Sequence, residues 1–462
     1  MSQPSMRRLA PQRPSRVPLL AAALAAAALA GAAFIPTVAM PAQVVGTELA
    51  VASRACPALG SGAALGVASS AAGVTRSTVG APAESTPMAP GEVATLTDSP
   101  VRLSAPVNVP FWGVASVSAG AGPDQGVALA PCRTPRAEQW IPGVRSTAAA
   151  RSDLVLVNLD VVAADVNVAV FGPDGPLSAA GARGLEVPGQ GSRSVPLGPI
   201  VDSRSAVTLQ VTSSSGRVAA YVRQRTFTGI EPLGADWIST AAEPAASVVI
   251  PVVPGGSGDR TLIIGNPDER TAQVRVQALG KEGAFAMVGV DSVDVPAQST
   301  REFKMDAALS GQVAGLLLTS SRPITAAVEA RTKTDWATVG GAETVGAGVQ
   351  ATLGLPKGAR LGVALANPTA QAIHAEVKVV DASGKELAAQ SIDLAPTSAV
   401  QVDAGTPSTA VVSVTSSDPA LRVGLQTSGK VSSIDSLGLV NLADAATSAP
   451  TITMSRDPML GT

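Results

Sequence analysis

A single histidine, two cysteines, one tyrosine and four tryptophans serve a chain of 462 residues, and aromatic residues make up only 2 % of it. Two thiols and one imidazole cannot build a zinc site of the usual four-ligand kind. A Ser-His-Asp triad would have to use His374, and no nucleophile elbow accompanies it. His374 lies in an alternating run in which Ile373, Ala375 and Val377 share one face, so its ring is expected at solvent beside Glu376. Charged residues are scarce too, at 15 % against the usual share of about 25 %. The net charge is −2, and four arginines (Arg7, Arg8, Arg13, Arg16) lie in the first sixteen residues, so the remainder stands at −6. A mildly acidic body offers no basic face for a phosphate backbone, which excludes nucleic acid as the expected partner. No phosphate-binding or dinucleotide loop is present. Gly255-Gly256-Ser257-Gly258 is not followed by Lys-Ser and reads as a flexible turn. Acid pairs could hydrolyse glycosides without histidine. Asp236, Glu243, Asp259, Asp268, Glu269, Asp291 and Asp294 are instead scattered over turns and the polar sides of strands, with no catalytic signature. Turn carboxylates leave calcium as an open alternative. The expectation is no catalytic residue, no cofactor and no metal.

What is present begins with the N-terminus. Residues 1–16 form a basic segment, and Val17–Ile35 is uncharged and almost wholly apolar. As a helix those 19 residues would span about 28 Å, a bilayer core. The arginines would hold the N-terminus in the cytoplasm and the rest outside. The expectation is a transmembrane signal anchor in the cell membrane, single pass. Secretion after cleavage behind Thr37-Val38-Ala39, and a buried Ala-rich helix, are the alternatives. Export suits a disulfide between Cys56 and Cys132, with two free buried thiols as the alternative. That bridge would close a loop of about 75 residues, worth roughly 4 kcal/mol by loop-closure entropy.

The strongest pattern is a threefold internal repeat. Leu154–Asn158, Val166–Phe171, Gly172-Pro-Asp-Gly175, Val187-Pro188 and Thr212-Ser-Ser214 recur as Leu262–Asn266, Val274–Leu279, Gly280-Lys-Glu-Gly283, Val295-Pro296 and Thr319-Ser-Ser321. They recur again as Val363–Asn367, Ala375–Val380, Asp381-Ala-Ser-Gly384, Ala395-Pro396 and Thr415-Ser-Ser417. Alternating apolar residues mark half-buried strands, glycines supply hairpin turns, and Asn-Pro and Val-Pro end strands. Six-residue strands between turn signals over about 100 residues describe a β-sandwich. The expected fold class is therefore all-β, with tandem immunoglobulin-like β-sandwich modules at 139–245, 246–346 and 347–445 behind the N-terminal helix. Residues 36–138 are rich in Pro, Gly and Ala, with little periodicity. They read as a partial β module or, alternatively, a flexible stalk. Residues 446–462 read as a disordered tail.

Asp236-Trp237 and Asp335-Trp336 recur where one module gives way to the next, the third copy keeps Asp435 with Ser436, and Trp140 precedes the first. Each tryptophan is expected to plug a module joint. A platform for a sugar ring or peptide is the alternative. The order Cys132, Trp140, Asn-Pro strand ends, Gly-x-x-Gly turns, Val-Pro and Thr-Ser-Ser resembles a family of actinobacterial envelope proteins known only as a secreted domain of unknown function. The resemblance covers most of the chain after the anchor, except that Asn158 is followed by Leu159 rather than proline. It implies export and a link to the cell envelope, and brings no catalytic residue. The resulting expectation is a non-catalytic, membrane-anchored extracytoplasmic scaffold or adaptor, whose partner is an envelope protein or a cell-wall polymer. A glycan-binding module and a carboxylate-pair hydrolase are the alternatives.

Overall fold

The computed structural model describes residues 51–445, apart from 82, 83, 202–204, 257, 288, 310, 311 and 313, together with two flanking strands. Those strands, Val45–Thr47 and Ile452–Met454, pair antiparallel with each other. The basic segment 1–16, the apolar segment 17–35 and most of the tail 446–462 lie outside the described residues. No described helix is long and apolar enough to cross a membrane. The one helical turn among the described residues is Asp306–Leu309, and everything else regular is strand.

Residues 138–239 show the plan. Eight strand positions run Glu138–Val144, Ala150–Asn158, Ala164–Gly172, a divided fourth (Gly175–Leu177 and Leu185–Val187), Gly191–Pro196, Val207–Ser215, Ala219–Thr228 and Glu231–Ser239. The first, sixth, third and fourth make one antiparallel sheet, and the fifth, second, seventh and eighth make the other. Alternation does the sorting: Val166, Val168 and Val170 point inward while Asp165, Asn167 and Ala169 do not. Ile141, Val166 and Leu209 of one sheet share a single core with Leu154, Val222 and Ile238 of the other.

The same order of pairing recurs in 245–340, in 348–442 and in 51–131. In 245–340 the sixth and seventh strands run together as Ala314–Arg331. Residues 51–131, for which a partial module or a stalk was the expectation, thus form a complete eight-stranded fourth copy. Its alternation is masked because the interior is built from small residues, as in Ala64–Ser69, and because the fourth and fifth strands are only three residues each.

The repeated asparagine has a structural reason. Asn158, Asn266 and Asn367 end the second strand of their modules and are fully buried. Each amide nitrogen donates to the carbonyl four residues on, at Val162 (2.8 Å), Arg270 (2.8 Å) and Gln371 (2.7 Å). It also donates to the end of the fourth strand, at Val187 (3.2 Å), Val295 (3.0 Å) and Leu394 (3.3 Å). Each Oδ1 accepts the amide two residues on. A buried turn needs donor and acceptor on one short side chain, which asparagine alone supplies. The Val-Pro landmark leads into a left-handed residue, Gln190, Gln298 or Thr397, with φ of 48–49°. Its amide donates back to the asparagine turn, at Asp160, Asp268 or Thr369. The first module substitutes Ser69, bonded to the Ala71 carbonyl at 2.7 Å, and Gly91, bonded to the Val67 carbonyl at 2.9 Å.

Within the compact unit 49–449 the modules close on themselves. The eighth strands, Gly126–Pro131, Glu231–Ser239, Trp336–Gly340 and Ile434–Leu442, pack against one another in turn, and the last packs against the first. Each also feeds the core of the module before it. Trp237 enters the core of the first, Trp336 that of the second, Leu437 and Leu439 that of the third, and Val127 and Leu129 that of the fourth. The first strand of each module lies the other way, on the second sheet of the module that follows. These are head-to-tail interfaces whose rotation closes after four. At the closing junction the second strand of the first module approaches the first strand of the fourth so nearly that a Cβ on Gly66 would stand 2.0 Å from the Thr352 carbonyl oxygen. Ser116 donates to the Gly354 carbonyl there at 2.5 Å.

Candidate functional site

The eighth strands and the hairpins that lead into them bring Gln125-Gly126, Gly234, Asp236, Asp335 and Asp435 of the four modules together. Asp236 lies inside its strand, Glu231–Ser239, and by strand register Gly234 rather than Asp236 takes the place of Asp335. Asp335 is fully buried. Its Oδ2 accepts the amides of Val127 (3.1 Å) and Leu437 (2.9 Å), and its Oδ1 accepts that of Trp336 (2.8 Å). One carboxylate thereby ties three modules together. The second module closes over it through Gly234, at φ 125°, where a Cβ would stand 2.7 Å from Oδ1. Gln125 reaches the carbonyls of Thr334 (2.7 Å) and Pro232 (3.1 Å). The fourth module joins through the Asp435 backbone, whose amide donates to the Thr334 hydroxyl and whose carbonyl accepts from Thr332. Asp236 is also buried, and its Oδ2 accepts the Thr338 amide at 2.9 Å. Burial pushes the Asp236 carboxyl up to about 7, with the amides of Thr338 and Trp237 offsetting part of the cost. Burial likewise raises Asp335 well above its ordinary value, against three amides, and the charge of Asp236 raises it further.

The tryptophans are internal. Trp336 is fully buried and its Nε1 donates to the Gly234 carbonyl at 3.2 Å. Trp237 meets Tyr221 edge-on at 6.5 Å, with the Arg223 guanidinium over its ring. Trp140 sits on a first strand rather than an eighth, stacked on Phe171 at 5.7 Å with its Nε1 on Glu138. Burial takes all three indole faces away from a sugar or peptide, so a platform built on them has no open face. The fourth tryptophan, Trp112, reaches the fourth module's core under the Arg54 guanidinium, 4.6 Å away.

Cys56 and Cys132 are joined in a disulfide and fully buried. Beside it Tyr221 donates to the Ala55 carbonyl (2.6 Å) and accepts the Arg133 amide (3.0 Å). Arg133 spans to the Thr240 carbonyl, and Arg136 pairs with Glu343 at 3.1 Å, so three inter-module linkers meet there. Burial lowers the Arg54 guanidinium to about 10.

Between the second and third modules lies a cleft of about 290 Å³, lined by Arg145, Asp259, Thr261, Glu302, Lys304, Glu329 and Arg331. Arg145 bridges Glu302 (2.7 Å) and Glu329 (2.8 Å), and Arg331 takes the other oxygen of Glu329 (2.8 Å). Burial opposes the charge on Glu329, but the two arginines outweigh it and hold the carboxyl below its ordinary value. A carboxylate fixed this way has no proton to give near neutrality. Glu329 and Arg145 were not singled out in the sequence. The available signal was one acid inside the otherwise apolar run Ala326–Ala330. Of the scattered acids, Asp259 joins the cleft beside Lys304, and Asp268 caps a turn beside Arg270. His374 is exposed and pairs with Asp393 on the neighbouring strand (2.8 Å) rather than with Glu376. No group of three or more metal-ligating side chains gathers among the described residues.

Residues 89–405 match the model of a family of unknown function, DUF5719. No curated protein matches the chain. A beta-glucuronidase from Bacteroides uniformis is similar over 72 % of this chain and 25 % of its own, at 10 % identity and a TM-score of 0.12. An alpha-L-rhamnosidase from Streptomyces avermitilis, complexed with L-rhamnose, is similar over 83 % of this chain and 55 % of its own, at 10 % identity and a TM-score of 0.14. The chain spans a quarter to about half of those proteins. Likeness at these scores bears on neither fold nor activity.

Proposed function

We propose that this chain, which belongs to the DUF5719 family of unknown function, is a non-catalytic scaffold or adaptor of the bacterial cell envelope. In this reading it is exported, tethered through the apolar segment 17–35, and built from immunoglobulin-like sandwiches. One observation carries the reading: the side chains best suited to chemistry or stacking, Asp236, Asp335, Trp237 and Trp336, are spent on joining modules into a ring. A rigid body with its reactive groups inside offers partners sheet edges and loops, which is what an adaptor needs. The segment 17–35 and the buried disulfide support export and anchoring.

The test is proximity crosslinking on intact cells with mass spectrometry of what the protein touches. Capture of one envelope enzyme or transporter is the expected result. Capture of wall polymer with no dominant protein would replace the adaptor with a polymer-binding module. Release by carbonate without detergent would remove the anchor.

A further inference from the structure

Three guanidiniums converge where the inter-module linkers meet beside the disulfide. Arg54 comes from the first strand of the first module, Val51–Cys56. Arg133 and Arg136 come from the linker that leads into the second module. Glu343, in the linker between the third and fourth modules, lies 3.1 Å from Arg136 and 4.0 Å from Arg133. Glu243 stands 4.0 Å from Arg136 and is exposed, so water screens it. Three positive charges thus share one partly buried carboxylate, in a chain whose net charge is −2.

The partners of Arg54 show what the cluster lacks. Arg54 is 6 % exposed, with its guanidinium 4.6 Å from the Trp112 ring centre and 5.5 Å from that of Phe111. The rings favour a cation but accept none of its ordinary hydrogen bonds. Among the described residues its N–H groups find one acceptor, the Asp444 carbonyl at 3.4 Å, and its Nε is buried without a partner. The charges that act on it are Arg133 and Arg136, which repel it, and Glu343, which attracts it. Arg133 reaches the Thr240 carbonyl through Nη2, and its Nε is likewise buried without a partner. Other buried guanidiniums here are satisfied. Arg145 bridges two carboxylates, and Arg260 donates to the carbonyls of Pro254, Gly255 and Gly258. A covered charge needs a counter-charge and acceptors, and guanidinium forks match the oxygens of phosphate and sulfate. We propose that Arg54, Arg133 and Arg136 form a site for one small tetrahedral oxyanion of the size of phosphate. The side chain of Arg133 is 11 % exposed and that of Arg136 44 %, so Arg136 forms the rim and the mouth admits a free ion rather than a polymer. Arg54 opens the first module and Glu343 precedes the fourth, so the ion binds the closed ring and stabilises its closure. The proposal does not depend on where the protein resides.

Equilibrium dialysis of the full chain against labelled inorganic phosphate tests it, with sodium chloride holding the ionic strength constant. One phosphate per chain, bound saturably and displaced by sulfate, is the expected result. Arg136→Gln removes one charged donor at the rim and should raise the dissociation constant about ten-fold. Arg54→Met keeps an unbranched stem against Trp112 and should abolish saturable uptake. Urea denaturation gives a second readout. Exchanging chloride for phosphate at equal ionic strength should raise the midpoint of the parent more than that of Arg54→Met. The general stabilising effect of phosphate on folded proteins acts on both alike and cancels in the comparison. No uptake by the parent, or uptake that grows with concentration without saturating, overturns the site. Saturable uptake that is equal in the parent and in Arg136→Gln places the ion elsewhere and overturns it too. Arg136 is half exposed, so that variant decides the matter even where Arg54→Met fails to fold.

Discussion

Replacing Asp236 with asparagine should flatten the dependence of stability on pH. The carboxyl sits near 7 in the folded protein because it is buried, against 3.8 for the free side chain. Between those values the folded chain holds a proton that the unfolded chain releases. The native state binds more protons, so stability falls as pH rises through this window and levels off above about 7. A difference of about three units at about 1.36 kcal/mol each amounts to about 4 kcal/mol across the window. Asp335 adds a slope of the same sign. Carboxyls held low by arginines, such as Asp124 and Glu329, act in the opposite sense, but their contribution is lost only as pH falls below the ordinary carboxylate range. Between pH 5 and 7 the raised carboxyls dominate. Asparagine keeps the oxygen that accepts the Thr338 amide and carries no titrating proton. Urea denaturation with the disulfide intact, at half-unit steps from pH 5 to 7.5, should show the parent losing stability with pH. The variant should lose about 1 kcal/mol less per pH unit on average over this range, the difference shrinking toward pH 7.5. Equal slopes, or a parent that gains stability over this range, would refute the assignment of a neutral buried carboxyl at the ring centre.

Three other outcomes follow from the packing. Trp336→Ala empties a fully buried site in the second module's core and should cost about 3–5 kcal/mol, read as a lowered denaturation midpoint. A loss below about 1 kcal/mol would contradict the insertion. Gly66→Ala sets a methyl group against the Thr352 carbonyl; it should destabilise by about 1–3 kcal/mol and expose the closing junction to protease before any other. Cys56→Ser should cost roughly 4 kcal/mol if loop closure dominates. Labelling of unfolded, unreduced parent protein should find no free thiol, and two free thiols would remove the bridge.

Much of the fold was legible where side chains alternate cleanly. Val274, Val276 and Ala278 against Arg275 and Gln277 mark a half-buried strand in sequence and are one in the structure. The first module is not legible as a copy because its landmarks are replaced. Ser69 stands at the end of the second strand in place of asparagine and bonds only locally, to the Ala71 carbonyl, and Gly91 supplies the left-handed residue but bonds Val67 rather than the turn. Asparagine itself was read as a strand end, which it is, but its partners lie 27 to 30 residues away and no local pattern announces them. The Asp-Trp pairs read in the sequence as joint residues, and Trp237 and Trp336 lie in the cores of the preceding modules. What they join could not be read, because ring closure depends on contacts such as Val127 to Asp335, 208 residues apart. Arg145 and Glu329 were hidden for the same reason: their pairing spans two modules.

Because the eighth strand of the first module completes the core of the fourth, a segment made early waits for one made more than two hundred residues later. Val127, Leu129 and Trp112 have no finished environment until Leu353, Val412 and Val440 arrive. A linear array can fold outward from any repeat by nearest-neighbour steps, but a closed one has a final step that must bring distant parts of the chain together, and such steps are slow. Until it occurs, apolar surface on the first and fourth modules stands open, a hazard for aggregation in any partly folded form. The same arrangement makes the finished ring resistant to fraying, since neither end of the series is a free end.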